Sequence, residues 1–127
     1  MAGELEAVVR QMMEGLDKGD MSYATAVVAS QAQGIDEISR RWMRGNDEVK
    51  EYAQQLAGMV SDVHTDIRDV HETEWGDTGV LTCWIEQDYT MEGDRTHISA
   101  PTTVVLRKED GDWRVALFHS LPLPPEK

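Results

Sequence analysis

The spacing of apolar residues changes near residue 60, and this change constrains the fold more than any other feature of the chain. Before it, apolar side chains recur every three or four residues, as at Leu5, Val8 and Met12, which is the period of one face of a helix. After it, apolar and polar side chains alternate in runs rich in Val, Ile, Thr and Trp, as they do in strands. Helices followed by strands predict an α+β fold with a meander sheet.

Three helices are expected in the first half of the chain. The first carries the stripe that begins at Leu5, and Gly19 supplies a left-handed residue at its end. Asp20 is placed to accept hydrogen bonds at the start of a short second helix, which is predicted to end near Ser30. The inward residues of this second helix are predicted to be Tyr23, Ala24, Val27 and Val28.

A third helix is predicted over residues 47–59, with Asn46 as its N-cap, because an asparagine side chain can accept a hydrogen bond from the first turn. Residues 31–42, between the second and third helices, have no clear helical period. They are interpreted as a short strand or an extended connection.

Four strands are predicted near residues 63–74, 79–90, 96–108 and 112–121. The breaks between them are short and rich in Gly and Asp, which favours antiparallel hairpins. We therefore expect a curved, mostly antiparallel sheet with the three helices on its concave face. A chain of 127 residues fits one domain, here 1–121, followed by an extended tail, 122–127, whose prolines cannot continue a ladder.

The composition excludes several classes of partner. The formal net charge is -12, which repels phosphate backbones and anionic lipid heads, so neither nucleic acid nor a membrane is an expected partner. The N-terminus is acidic and amphipathic, whereas a signal peptide is basic and then apolar. Cys83 is the only cysteine, which leaves no internal disulfide and favours a reducing, cytoplasmic location.

Two segments carry a family resemblance: AVVRQMMEGLDKGD near the start and APTTVVLRKEDGDWRVALFHS near the end. They resemble SnoaL-like and ketosteroid-isomerase-like members of the nuclear-transport-factor-two-like superfamily, and the ending WRVALFHS also resembles the calcium/calmodulin-dependent kinase association domain. The resemblance implies the cystatin-like cone fold, in which a curved sheet wraps a long helix and leaves a pocket at its open end. It indicates the fold better than the function, because this superfamily hosts several enzyme classes and association domains.

The resemblance to ketosteroid isomerase carries over one of its three catalytic residues. Its base aspartate falls on Asp36, which becomes the candidate catalytic residue; the alternative is a carboxylate at a surface strand end. Its two oxyanion-hole donors fall on Met12 and Thr103. The methionine thioether cannot donate a hydrogen bond, and the threonine hydroxyl donates a weaker one than the isomerase's own donor does. Each strong donor is worth about 2.7–4 kcal/mol to a developing oxyanion, so steroid isomerisation is not expected.

The same resemblance predicts the lining of the pocket. The predicted residues are Met12, Tyr23, Trp42, Cys83, Ile85, Gln87, Thr103, Arg114 and Phe118. Matching the last strand to that of the isomerase places Arg114 and Phe118 inside and His119 outside, towards a dimer partner. The alternation of side chains along the strand also allows the opposite arrangement, in which His119 faces the pocket.

Metal ions and cofactors are not expected. His64 and His71 are an odd number of residues apart, and such side chains face opposite sides of a regular strand. The strand run that contains Trp84 has apolar side chains on both faces, so a homodimer is expected to cover the second face.

Two functions remain open at this point. The first is a small-molecule pocket protein that acts by proton transfer on a hydrophobic or carbonyl-bearing ligand, with Asp36 as the base. The second is a non-catalytic dimeric binding or association domain. An Asp36 that lies in an apolar cavity beside a polar partner favours the first, and an Asp36 in solvent favours the second.

Overall fold

Three helices and six strands make up residues 3–124, the part of the chain that the computed structural model describes. In chain order they are α1 (Glu4–Lys18), α2 (Met21–Thr25), β1 (Val28–Asp36), β2 (Met43–Arg44), α3 (Asn46–Met59), β3 (Val60–Trp75), β4 (Thr78–Met91), β5 (Asp94–Glu109) and β6 (Asp112–Ser120). The strands form one curved sheet in the order β2-β1-β6-β5-β4-β3. Only β1 and β6 pair in parallel among these strands, which confirms the predicted α+β fold with a mostly antiparallel sheet.

The helices cover one face of the sheet, called here the inner face. On β4 this face carries Leu81, Cys83 and Ile85, which are buried in one core cluster with Leu5 and Val9 of α1. The alternate β4 residues, such as Trp84, lie on the opposite, outer face. The apolar stripe predicted for α1 is therefore the side of the helix that packs on the sheet.

Helix α1 is tied to β3 near both of its ends. At its start, the Leu5 N–H donates to Glu72 Oε1 at 3.2 Å, which satisfies one of the donors that the first turn of a helix leaves without a partner. Near its end, Asp17 accepts from the Thr65 N–H at 3.0 Å and from the Thr65 hydroxyl at 2.7 Å. These bonds set the position of the helix along the sheet.

Two glycines permit close packing around α1. A Cβ on Gly79 would lie 2.7 Å from the Leu5 side chain, and a Cβ on Gly15 would lie 2.5 Å from the backbone nitrogen of Ala24. Gly79 therefore allows α1 to approach β4, and Gly15 allows α2 to pack across α1.

The second helix is shorter than predicted. It ends at Thr25, and β1 begins at Val28, so the expectation of a helix to Ser30 is wrong. Val27 and Val28 are β-branched and favour extended backbone, and pairing with β6 satisfies this segment, as in the bond from Val115 N–H to Val27 O at 2.7 Å. The interpretation of the following residues as a strand is confirmed by β1.

The third helix matches its predicted span, but Asn46 is not its N-cap. The cap residue is Gly45, which has a positive φ of 91°. The Asn46 side chain instead donates to Ala29 O at 3.1 Å. Asn46 therefore fastens α3 to β1.

Bulges in β3 change which residues share a face. Asp69 has a positive φ of 56°, and the pairing register with β4 shifts between Arg68 and His71. As a result His64 and His71 pair with Asp88 and Thr82, which lie on the same face of β4, so the expectation that the two histidines face opposite sides is wrong. Their partners on β4 are six residues apart, so the two histidines are still separated by about 20 Å. No group of three or more potential ligand side chains with metal-binding geometry occurs within residues 3–124.

The remaining segments are short. Residues 121–124 form neither helix nor strand, and residues 125–127 of the predicted tail lie outside the described part. Within the described residues, no helix is both long enough and apolar enough to cross a membrane.

The surroundings of Gly15, at the contact between α1 and α2, and of Gly58, on α3, predict opposite effects when each is replaced by alanine. Gly15→Ala should lower the free energy of unfolding by about 1–3 kcal/mol, because its Cβ overpacks against backbone. Gly58→Ala, on the exposed side of α3 with nothing within 4 Å of its Cβ, should raise that free energy by up to about 1 kcal/mol. Urea unfolding of both variants checks this, and equal effects would contradict the packing described.

Candidate functional site

A cavity of about 130 Å³ lies between the inner face of the sheet and the three helices. Its lining comes from α1, α2 and α3 on one side and from β1, β2, β4, β5 and β6 on the other. An engineered apolar cavity of about 150 Å³ is large enough to bind benzene. The volume therefore suits a compact ligand.

Most of the cavity lining is apolar, and methionines are its most frequent residue. Four of the chain's seven methionines contribute to it: Met12, Met13, Met21 and Met43. Methionine side chains are unbranched and polarisable and adapt to irregular apolar shapes. This part of the lining therefore suits a hydrocarbon body and specifies its shape only loosely.

Asp36 lies at the polar end of the cavity, at the last position of β1 and beside Ser120 of β6. Its Oδ1 atom accepts hydrogen bonds from the backbone N–H groups of Ile38 and Ser39 at 3.0 and 2.8 Å. The Tyr52 hydroxyl lies 2.8 Å from Oδ1 and 3.0 Å from Oδ2. Oδ1 is thus held by three donors, whereas Oδ2 has the tyrosine alone and keeps capacity to accept another hydrogen bond.

Tyr52 is a donor to Asp36 at any physiological pH. Burial raises the pKa of Tyr52 above its ordinary value, and the nearby charge of Asp36 raises it further. The tyrosine therefore stays protonated, and its single proton is directed at the carboxylate.

A second pair of tyrosine and carboxylate adjoins the first. The Tyr89 hydroxyl, on β4, donates to Glu37 Oε2 at 3.0 Å, and Glu37 lines the cavity directly after Asp36. Burial, together with the hydrogen bond to Glu37, raises the pKa of Tyr89 to about 12. The polar end of the cavity thus holds two neighbouring carboxylates, each with one neutral tyrosine.

Ser120 adds a buried hydroxyl to the same end of the cavity. Thr102 Oγ1 donates to Ala100 O at 3.1 Å and lies 2.8 Å from Ser120 Oγ. Because a threonine hydroxyl carries one proton, both contacts are satisfied when Ser120 donates to Thr102. The proton of Ser120 is then used, and its oxygen can only accept from a ligand.

Five of the residues predicted from the sequence line this cavity: Met12, Asp36, Ile85, Gln87 and Phe118. The remaining predicted residues do not line it, and the physical reasons differ. Tyr23 and Trp42 are 40% and 38% exposed. Trp42 packs against His119, with ring centroids 5.9 Å apart, so it lies beside the outer face.

Cys83 and Thr103 also lie away from the cavity. Cys83 is on the inner face but is buried in the core under α1, where burial raises the pKa of its thiol to about 11 and keeps it protonated. Thr103 pairs with His119 on the outer face, and its neighbour Thr102 is the residue that points inward.

A bulge at Ala116 explains the arrangement of β6. Leu106 pairs with Val115 while Val105 pairs with Leu117, so Ala116 is an extra residue and the alternation reverses after it. Arg114 is therefore on the outer side, where it donates to Ala26 O at 2.8 Å, and the expectation that it faces the pocket with Phe118 is wrong. Phe118 lines the cavity and His119 does not.

Sequence reasoning missed Glu37, Tyr52 and Ser120 as site residues. Tyr52 lies in the predicted third helix and Ser120 in the last predicted strand, but neither pattern indicates that its hydroxyl faces a cavity. The signal available in the sequence was the adjacent acidic pair Asp36-Glu37 at a strand end. Its tyrosine partners lie 16 and 52 positions away along the chain, so no local motif joins them.

The raised pKa of Tyr89 predicts a fall in stability at alkaline pH. A tyrosine ionises near pH 10 in the unfolded chain and near 12 here, so its contribution is complete below pH 10 and is lost as the pH rises towards 12. Tyr89→Phe should make the free energy of unfolding fall less steeply over this interval. Parallel curves for the variant and the wild type, measured by denaturant unfolding, would contradict the assignment.

Comparison with known proteins gives a consistent picture. The model of the SnoaL-like domain family matches residues 5–124, whereas a search of curated proteins finds no match. Among solved structures, a ketosteroid isomerase-like protein from Erwinia carotovora atroseptica is similar with a TM-score of 0.80 at 21% identity, over 96% of this chain and 95% of that one.

Two further structures show the same fold. A nuclear transport factor 2-like superfamily protein from Salmonella enterica serovar Typhimurium has a TM-score of 0.86 at 15% identity, over 98% and 92% of the two chains. A protein with a cystatin-like fold from Nostoc punctiforme has a TM-score of 0.79 at 16% identity, over 95% and 90%. At these identities the likeness shows the fold alone.

Proposed function

Because the chain belongs to the SnoaL-like domain family, we propose that it binds a compact hydrophobic small molecule in the cavity and that Asp36 accepts a proton from this ligand. The proposed reaction class is proton transfer by a side-chain base, as in isomerases, cyclases or lyases that act in this way. The observation that supports this most is the position of Asp36, which lines an apolar cavity with a tyrosine hydroxyl 2.8 Å away. A base of this kind acts on the part of the ligand within hydrogen-bond reach of Oδ2.

The competing function, a purely associative domain, is less well supported. An associative domain needs no cavity. Association alone also does not explain why a carboxylate is held by three donors at the end of an apolar space. Fixed hydrogen bonds orient a catalytic group at little cost in reorganisation, and the bonds from Tyr52, Ile38 and Ser39 do this for Asp36.

Steroid isomerisation is a poor candidate for the reaction. The cavity is of benzene size, and Met12 lines it with a thioether where the isomerase has a donor. The Tyr52 proton is directed at Asp36, so it is not free to stabilise an oxyanion.

The role of Asp36 predicts a specific pattern of activity. The protein should not convert 3-oxo-Δ5-steroids faster than buffer does, and turnover of any compact substrate found by screening should be abolished in Asp36→Asn, because an amide cannot accept the proton. Affinity for toluene, which needs only the apolar lining, should be unchanged. Asp47→Asn, an exposed aspartate at the start of α3, is the matched control and should retain activity. Wild-type turnover in Asp36→Asn would remove Asp36 from the mechanism.

The outer face of the sheet supports a second proposal, that two copies of the chain pair through it. Its central side chains, which are only partly buried, are Val80, Trp84, Thr103, Val105, Leu117 and His119. Arg68 covers part of the Trp84 ring, with its guanidinium 5.3 Å from the centroid. Covering such a face with a second copy removes apolar surface from water at about 25 cal/mol per Å², and a two-fold pair of identical faces closes on itself.

Pairing through this face predicts different effects for two tryptophans. Trp84→Glu should shift the protein to monomers while leaving its thermal midpoint, measured on the monomer, nearly unchanged. Trp75→Glu places the same charge on a tryptophan that is 62% exposed at the end of β3 and should leave association intact. Light scattering at micromolar concentration makes the comparison, and a strictly monomeric wild type would rule out this interface.

A further inference from the structure

The free hydrogen-bond donors and acceptors at the polar end of the cavity indicate which chemical group a ligand presents there. The polar side chains of the lining are Thr25, Gln33, Asp36, Glu37, Tyr52, Gln87 and Ser120. Each can be assigned as a donor already used, a donor still free or an acceptor still free. The balance of these groups decides whether a ligand must accept or donate.

Most donors in the lining are already used. The Thr25 hydroxyl donates to Met21 O at 2.8 Å, the Tyr52 hydroxyl is directed at Asp36, and the Ser120 hydroxyl donates to Thr102. Gln87 donates one N–H to Thr65 at 3.0 Å and retains the other, while Gln33 is exposed to solvent. A buried ligand that only accepts hydrogen bonds therefore finds little to pair with.

Acceptors remain in excess at the same end of the cavity. Among residues 3–124, Asp36 Oδ2 has one donor, Tyr52, and Ser120 Oγ accepts none when Ser120 is the donor to Thr102. Tyr89 occupies Glu37 Oε2, and within the described residues no hydrogen bond reaches Glu37 Oε1. The lining contributed by residues 3–124 contains two carboxylates and no lysine, arginine or histidine, so its formal charge is negative.

We propose that the ligand of this cavity is a compact primary ammonium ion whose hydrocarbon body is about the size of benzene, an inference that rests on the proposed function. An ammonium group offers three donors, which can pair with the free acceptors of Glu37 and Ser120 in the same lining and leave Asp36 Oδ2 as the base that the proposed function requires. Its positive charge offsets the two carboxylates, and charge-assisted hydrogen bonds of this kind are about twice as strong as neutral ones. The net charge of -12 also raises the local concentration of cations.

The excess of acceptors and the negative charge of the lining disfavour two other ligand classes. A carboxylate ligand would lie beside Asp36 and Glu37, and the lining from residues 3–124 contains no cationic side chain to offset its charge, which is costly where contact with water is reduced. A carbonyl compound brings only acceptors to an end of the cavity that already has them in excess, so most of its polar contacts would go unmade.

A series of five benzene-sized probes, measured by titration calorimetry at pH 7, tests the inference on the full chain. Benzylammonium should bind about tenfold more tightly than benzyl alcohol, which should in turn bind no more weakly than toluene and benzaldehyde, and benzoate should not bind. Benzaldehyde or benzoate binding as tightly as benzylammonium would overturn the assignment. Absence of binding by all five probes, toluene included, would instead reject the cavity as a ligand site, and with it the proposed function.

Glu37→Gln gives a second test that separates the local contact from the general field of the protein. The amide oxygen can still accept from Tyr89, so the fold should survive, but benzylammonium should lose about tenfold in affinity while toluene is unaffected. Glu14→Gln is the matched control, because it removes the same charge from an exposed position on α1, and it should leave benzylammonium affinity nearly unchanged. Equal losses in the two variants would overturn the assignment. The comparison of probes on the wild type stands even if Glu37→Gln does not fold.

Discussion

The structure depends on the attachment of α1 to β3, the edge strand of the sheet. Glu72 binds the first turn of the helix and Asp17 binds Thr65 near its end, so α1 is fixed along β3 and across β4 and β6. Helix α3 packs instead on β1 and β2 at the other edge. The two helices therefore cover different parts of the inner face, and the cavity is the space that they leave between them.

The polar end of the cavity follows from where β1 ends. Because β1 pairs in parallel with β6, its last residue, Asp36, lies beside Ser120, and the turn that follows places Glu37 near Tyr89. Tyr52 reaches the same place from α3, which Asn46 fastens to β1. Both carboxylates thereby receive a neutral donor, and no cationic side chain of residues 3–124 pairs with them. An acidic and acceptor-rich site in an otherwise apolar space is the result.

Much of the fold could be predicted from the sequence, because periodicity reports which side of an element is buried. The stripe of α1 and the alternation in β4 both identify residues of the core, and Gly-Asp breaks mark the hairpins. The errors occur where one residue alters the register. The bulge at Ala116 reverses the alternation in β6 and moves Arg114 outward, and the bulge at Asp69 does the same for His71. The alternation of apolar and polar residues in a strand does not reveal such an extra residue.

The candidate site was predictable only in part for a related reason. Asp36 and Phe118 follow from a resemblance to one family, whereas the pairing of Tyr52 with Asp36 depends on the position of a helix relative to a strand. Local propensity does not determine that position; tertiary packing does.

The central claim, that the methionine-rich cavity is the ligand site, is tested most directly by NMR of methyl-labelled methionine during a toluene titration. The aromatic ring should shift the methyl resonances of four residues that line the cavity, Met12, Met13, Met21 and Met43. Met59, which is 45% exposed, and Met91, at the end of β4, should not shift. Shifts at Met59 or Met91 alone, or saturable toluene binding that leaves the four cavity resonances in place, would contradict the account.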